Sequence, residues 1–117
     1  MIRRKDELVF EQVPNLRGGN GIVKFEHILK KGSEEFFGKG RVFSKIILNK
    51  GESIGEHVHE KEMEVFYVEY GTATYDDNGN AVKLYKGDVS ICMPGEKHSL
   101  SNEQDEQLCV IALILFE

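Results

Sequence analysis

The chain has 117 residues, 40% of them hydrophobic, which suits one domain with a buried core. Its 15 basic and 20 acidic residues leave a formal charge of −5, spread along the chain, which argues against a nucleic-acid module with its basic face. No apolar run approaches the roughly 20 residues that a membrane-spanning helix needs.

The opening stretch, MIRRKDELVFEQ, has basic residues with no apolar run behind them. It does not read as a secretory signal, and a cytoplasmic location is expected. Arg17-Gly18-Gly19-Asn20-Gly21 looks superficially like a phosphate loop, but it lacks the Lys-Ser/Thr pair and the following helix. It reads as a flexible turn, with Arg17 a candidate for closing over a cavity mouth and pairing with an anion. Residues 22–29 alternate as a strand, and His27 within them reads as structural rather than as a metal ligand. Ser33 can cap one helical turn over residues 33–37. Further strands are expected at residues 41–48, 65–69, 81–85, 89–93 and 108–116, with Asn78-Gly79 as a hairpin turn. Many short strands, twelve glycines and no sustained helical period imply an all-β sandwich or barrel.

Alternation also assigns faces. Val42, Ser44, Ile46 and Leu48 are expected to point inward, with Arg41, Phe43, Lys45 and Ile47 outward. Phe66 and Val68 share the face of Glu64, and Tyr67 points away from it. Val89, Ile91 and Met93 form another apolar set, assigned to the interior. The resulting pocket is largely apolar, with Ser44 its only obvious polar neighbour. The strand at residues 108–116 is apolar on both faces, so the N-terminal strand or a second subunit must cover it. Cys92 and Cys109 lack CxxC spacing and read as buried free thiols.

Three of the four histidines fall in two glycine-bounded segments, at residues 51–71 and 87–102. His57 and His59 are one residue apart, so on an extended strand both imidazoles share a face. Glu64 follows five residues later, and His98 comes from the second segment. Three imidazoles and a carboxylate suit a first-row transition metal. Glu60 and Glu62 flank these residues, and their simpler reading is as solvated loop charges. The alternative makes them partners of the ligands or acids at the cavity mouth. Tyr75 and Tyr85 are assigned to core or rim without distinction.

Gly51, His57, His59, Glu64 and Gly71 match the spacing of the first cupin motif. Gly87, Gly95, His98 and Asn102 match the second, with Met93 at its usual proline position and Pro94 one residue late. The chain thus resembles the cupin superfamily over residues 51–102. The resemblance implies a double-stranded β-helix, the cupin jelly-roll barrel, at residues 41–117. Residues 1–40 then supply N-terminal strands and a turn capping the barrel within the same domain. It also implies one divalent transition metal (Mn, Fe, Zn or Ni) held by His57, His59, Glu64 and His98, with two coordination positions left for a ligand. Asn102 then serves structure, and the chain is expected to form a homodimer. Two functions follow from the resemblance. One is a metal-dependent enzyme on a small oxygenated molecule, of dioxygenase, decarboxylase or sugar-isomerase type. The other is a non-catalytic module that binds a small ligand in the barrel. The inward face shows no clear arginine to hold oxalate and no acid or lysine to shuttle protons.

Overall fold

Ten strands carry the alternating pattern in the computed structural model, which describes residues 1–117. They are β1 (Val9–Pro14), β2 (Ile22–His27), β3 (Gly40–Leu48), β4 (Ser53–Val58), β5 (Glu62–Tyr70), β6 (Ala73–Asp77), β7 (Asn80–Leu84), β8 (Val89–Cys92), β9 (Lys97–Ser101) and β10 (Leu108–Phe116). One sheet has the order β1-β2-β3-β10-β5-β8 and the other β4-β9-β6-β7. Every pairing is antiparallel. Val42, Ile46, Phe66, Val68, Val110 and Ala112 from the first sheet share one core with Ile54, Ala73, Tyr75 and Leu100 from the second. This is the expected all-β jelly roll.

Local chemistry sets the turns. Asn78 and Gly79, both at positive φ, close the β6–β7 hairpin, and the Asp76 carboxylate accepts from the Gly79 amide. Ser33 caps the 3₁₀ turn Glu34–Phe36 by accepting from the Glu35 amide. Asn102 is fully buried. Its side-chain amide donates to the carbonyls of Leu48 and Glu106, and its oxygen accepts from the Gln104 amide.

The face assignments hold for β3 and β5, where Val42, Ser44, Ile46, Leu48, Glu64, Phe66 and Val68 are buried and Tyr67 is exposed. They reverse on β8. Val89, Ile91 and Met93 are exposed, while Ser90 and Cys92 are buried. The register explains the reversal: Ser90 pairs with Phe66 and Cys92 with Glu64, and directly opposed residues share a face. Strand β10 also differs from expectation. It lies between β3 and β5, so both of its edges are paired without help from the N-terminal strand or a second subunit.

Candidate metal centre

Three strands and the loop after β4 converge at one end of the barrel. His57 lies on β4, opposite His98 on β9, while His59 follows the end of β4 and Glu64 lies on β5. The β4 register slips between Ile54 and His57, so Gly55 and Glu56 oppose the single residue Ser99. That extra residue lets Ile54 and His57 face inward although they are three apart. The Nε2 atoms of His57, His59 and His98 lie 3.1 Å from one another. Glu64 Oε1 lies 2.9 Å from the His59 nitrogen and 3.0 Å from that of His98.

The far sides of the rings are equally occupied. His57 Nδ1 donates to the Gly55 carbonyl at 2.7 Å, and His59 Nδ1 donates to the Glu62 carboxylate at 2.9 Å. His98 Nδ1 lies 2.7 Å from the Tyr75 hydroxyl oxygen, which can accept from it. With protons on the Nδ1 atoms, three Nε2 lone pairs point at one place beside a carboxylate. Such a concentration of lone pairs is repulsive unless a positive charge sits among them. One divalent cation satisfies all four donors, and an N₃O set suits Mn, Fe, Ni or Zn. The residues therefore fit the metal that the motif implies.

Electrostatics around the four donors are tightly coupled. Burial raises the pKa of Glu64, but the three imidazoles packed against it outweigh burial and hold the carboxyl below the usual range. Burial disfavours protonated His59, yet Glu64 and Glu62 together raise its pKa. Burial pushes His98 down. Glu62 is lowered to about 2, chiefly by the Arg41 guanidinium, which forms two bonds of 2.8 Å with it.

A cavity of about 150 Å³ opens above these donors. Phe25, Val42, Ile46, Ile54 and Ile114 form its apolar wall, and Arg17, Lys31 and Arg41 bring positive charge. The pocket is thus more polar than the alternation implies. Arg41, expected outward, reaches it where the β3–β10 register slips and leaves Arg41 without a Cα partner. Ser44 does not line it. Its cross-strand neighbour His27 takes the hydroxyl at 2.7 Å, and the other His27 nitrogen bonds Glu11 at 2.8 Å. Both His27 nitrogens are used, and the residue is structural, as expected.

Glu62 is the most consequential residue that the solvated-loop reading missed. Its spacing of two from Glu64 was the available signal. Glu60 is exposed, in keeping with that simpler reading. Tyr75 resolves to the core, behind His98, and Tyr85 to the surface.

Comparison with known proteins agrees with this architecture. A family model described as "Cupin domain" matches residues 44–114. An oxalate-binding protein of Thermotoga maritima is 37% identical over 115 residues, covering 98% of this chain and 93% of that protein. The crystal structure of a predicted oxalate decarboxylase from Thermotoga maritima superposes with a TM-score of 0.91 at 36% identity, over 100% of both chains. KdgF from Halomonas shares the fold, with a TM-score of 0.75 at 17% identity over 100% of this chain and 95% of that one. The two sheets, the motif residues and these matches together place the chain in the cupin family.

Proposed function

We propose that this cupin binds a short, oxygen-rich anion of the oxalate class in its barrel, at one divalent transition metal held by His57, His59, Glu64 and His98. The observation that carries this reading is the convergence of three Nε2 atoms and one carboxylate oxygen beneath a small cavity edged by cations. The relative named for oxalate binding supports the ligand class. A cavity of about 150 Å³ has room for a ligand of benzene size, which has as many heavy atoms as oxalate. When bound, the metal supplies Lewis acidity toward a chelating oxygen ligand. The chain's residues do the rest. Gly55, Glu62 and Tyr75 fix the three ring orientations, and the apolar wall excludes water around the anion.

Binding is favoured over turnover because the two carboxylates nearest the metal site are already engaged. Glu64 is among the donors, and Glu62 is tied to both Arg41 and His59. A decarboxylase is the second reading, favoured by the close superposition on a protein described as a predicted oxalate decarboxylase. A buried, reduced pair of thiols, Cys92 and Cys109, fits a cytoplasmic setting for either.

Elemental analysis tests the metal site. The purified chain is expected to carry about one transition metal ion, and His57→Ala with His59→Ala to carry none. A wild-type chain that refuses Mn, Fe, Ni and Zn would rule it out. Incubation of the loaded protein with oxalate then separates the two functions. Release of carbon dioxide and formate marks the decarboxylase, and binding without release marks the module.

A further inference from the structure

We infer that Arg17 is the specificity-determining residue of this cavity, receiving a second carboxylate on the bound ligand and so selecting dianions over monoanions. The inference rests on the metal-dependent anion site proposed above. Three cationic side chains line the cavity, and two already face carboxylates. Arg41 is tied to Glu62 by two short bonds, and Lys31 stands 3.9 Å from Glu11. Arg17 has no ion-pair partner, and its guanidinium donates no hydrogen bond within the chain. It is the uncommitted positive charge on a wall that includes His57, His59 and Glu64. With a divalent ion partly offset by Glu64, one further cation leaves the cavity complementary to a dianion.

The backbone holds Arg17 in place at some strain. Its φ of 54° and ψ of 31° lie in the left-handed region, which non-glycine residues rarely adopt. The turn Leu16–Gly18 is tied down on both sides. Asn15 donates from its side chain to the Gly19 carbonyl and from its backbone to that of Gly21. Asn20 and Ser53 exchange two bonds, amide to hydroxyl and amide to carbonyl. Two glycines let the turn lie directly on β4: a Cβ on Gly55 would collide with the Arg17 carbonyl, and one on Gly19 with the Ser53 carbonyl. The strand that presents His57 thus also fixes the residue that presents the guanidinium. Strained backbone over-determined by its surroundings is a recurrent property of ligand clamps. A planar guanidinium also matches a carboxylate with two parallel donors, which an ammonium does not.

Calorimetric titration of the Mn(II)-loaded protein tests this with two acids. Oxalate carries two carboxylates, whereas glycolate carries one and chelates through its hydroxyl. Arg17→Gln is expected to weaken oxalate by roughly tenfold, because a charge-assisted pair between the exposed guanidinium and the ligand's second carboxylate is lost, and to change glycolate by less than about threefold. Metal stoichiometry and the circular dichroism spectrum are expected to match wild type. Arg17→Lys, which keeps charge without the planar fork, is expected to fall between them. Unchanged oxalate affinity in Arg17→Gln overturns the assignment, as does an equal loss of both acids. A wild-type chain that takes up no metal, or binds neither acid, overturns the underlying site and this inference with it.

Discussion

Glu62 answers two needs with one carboxylate. One oxygen accepts from the Nδ1–H of His59, and both accept from the Arg41 guanidinium. This fixes the tautomer of His59 and makes its Nε2 a better donor. Glu62→Gln weakens that support and leaves Arg41 without its counter-charge. Metal affinity is expected to fall roughly 10- to 100-fold, read by competition with a chromophoric chelator. The same pair shapes the acid limb of stability. Arg41, and then His59, lower the folded carboxyl from 4.5 to about 2, so between those values the unfolded chain binds more protons than the folded one. The stabilisation is therefore complete above about pH 4.5 and lost as pH falls toward 2. In Glu62→Gln the urea midpoint is expected to vary less across that window; an unchanged slope would show that the pair contributes little. The sequence contained this residue's role in part. The alternation that put Phe66 and Val68 on the face of Glu64 extends one step back to Glu62. A charge at that step reads as a loop because nothing local shows that a histidine and an arginine wait on the same face.

Strands differ in how clearly they announce themselves. Strands β3, β5 and β10 carry bulky apolar side chains at inward positions and were legible over most of their length. Strands β4, β6 and β9 were not expected. Their inward positions hold Ile54 and His57, Ala73 and Tyr75, and His98 and Leu100, too few large aliphatics to stand out. The functional residues themselves thus blurred the elements that carry them. Strand β8 was found but turned over, because register is a property of the pair and Ser90 and Cys92 look less like core than Val89 and Ile91. The contact between the Arg17 turn and β4 belongs to this scale. Gly19 has an ordinary φ of −75°, so its need for glycine is closeness to Ser53 rather than backbone conformation. Gly19→Ala is expected to push the turn off β4 and to cost about 1–3 kcal/mol of stability by overpacking. Oxalate affinity should drop toward that of Arg17→Gln while metal content stays at wild-type level. Denaturant unfolding and titration check both parts, and an alanine that leaves affinity untouched would show that the turn need not touch β4 to position Arg17.

The outer face of the six-stranded sheet carries an apolar patch. Register places Phe43, Leu113, Val65 and Ile91 in one row across β3, β10, β5 and β8. The next row runs Lys45, Ile111, Tyr67 and Val89. One lysine interrupts eight positions, on a face that in a two-sheet protein normally alternates toward polar residues. Ile91, Val89 and Tyr67 are substantially exposed in the single chain. The apolar character of both faces of β10 follows: one face fills the barrel and the other joins this patch. We propose that a second copy covers it, sheet against sheet about a two-fold axis. A self-facing surface requires no foreign partner of matching chemistry, and a two-fold contact closes after two chains. Light scattering is expected to report twice the 13.3 kDa chain mass. Val65→Asp with Ile91→Asp places four carboxylates across the two-fold and is expected to yield monomers. Because both side chains point away from the barrel, these monomers should keep the wild-type metal content. A wild-type protein that scatters as a monomer at all concentrations, or a double variant that remains dimeric, would move the interface elsewhere.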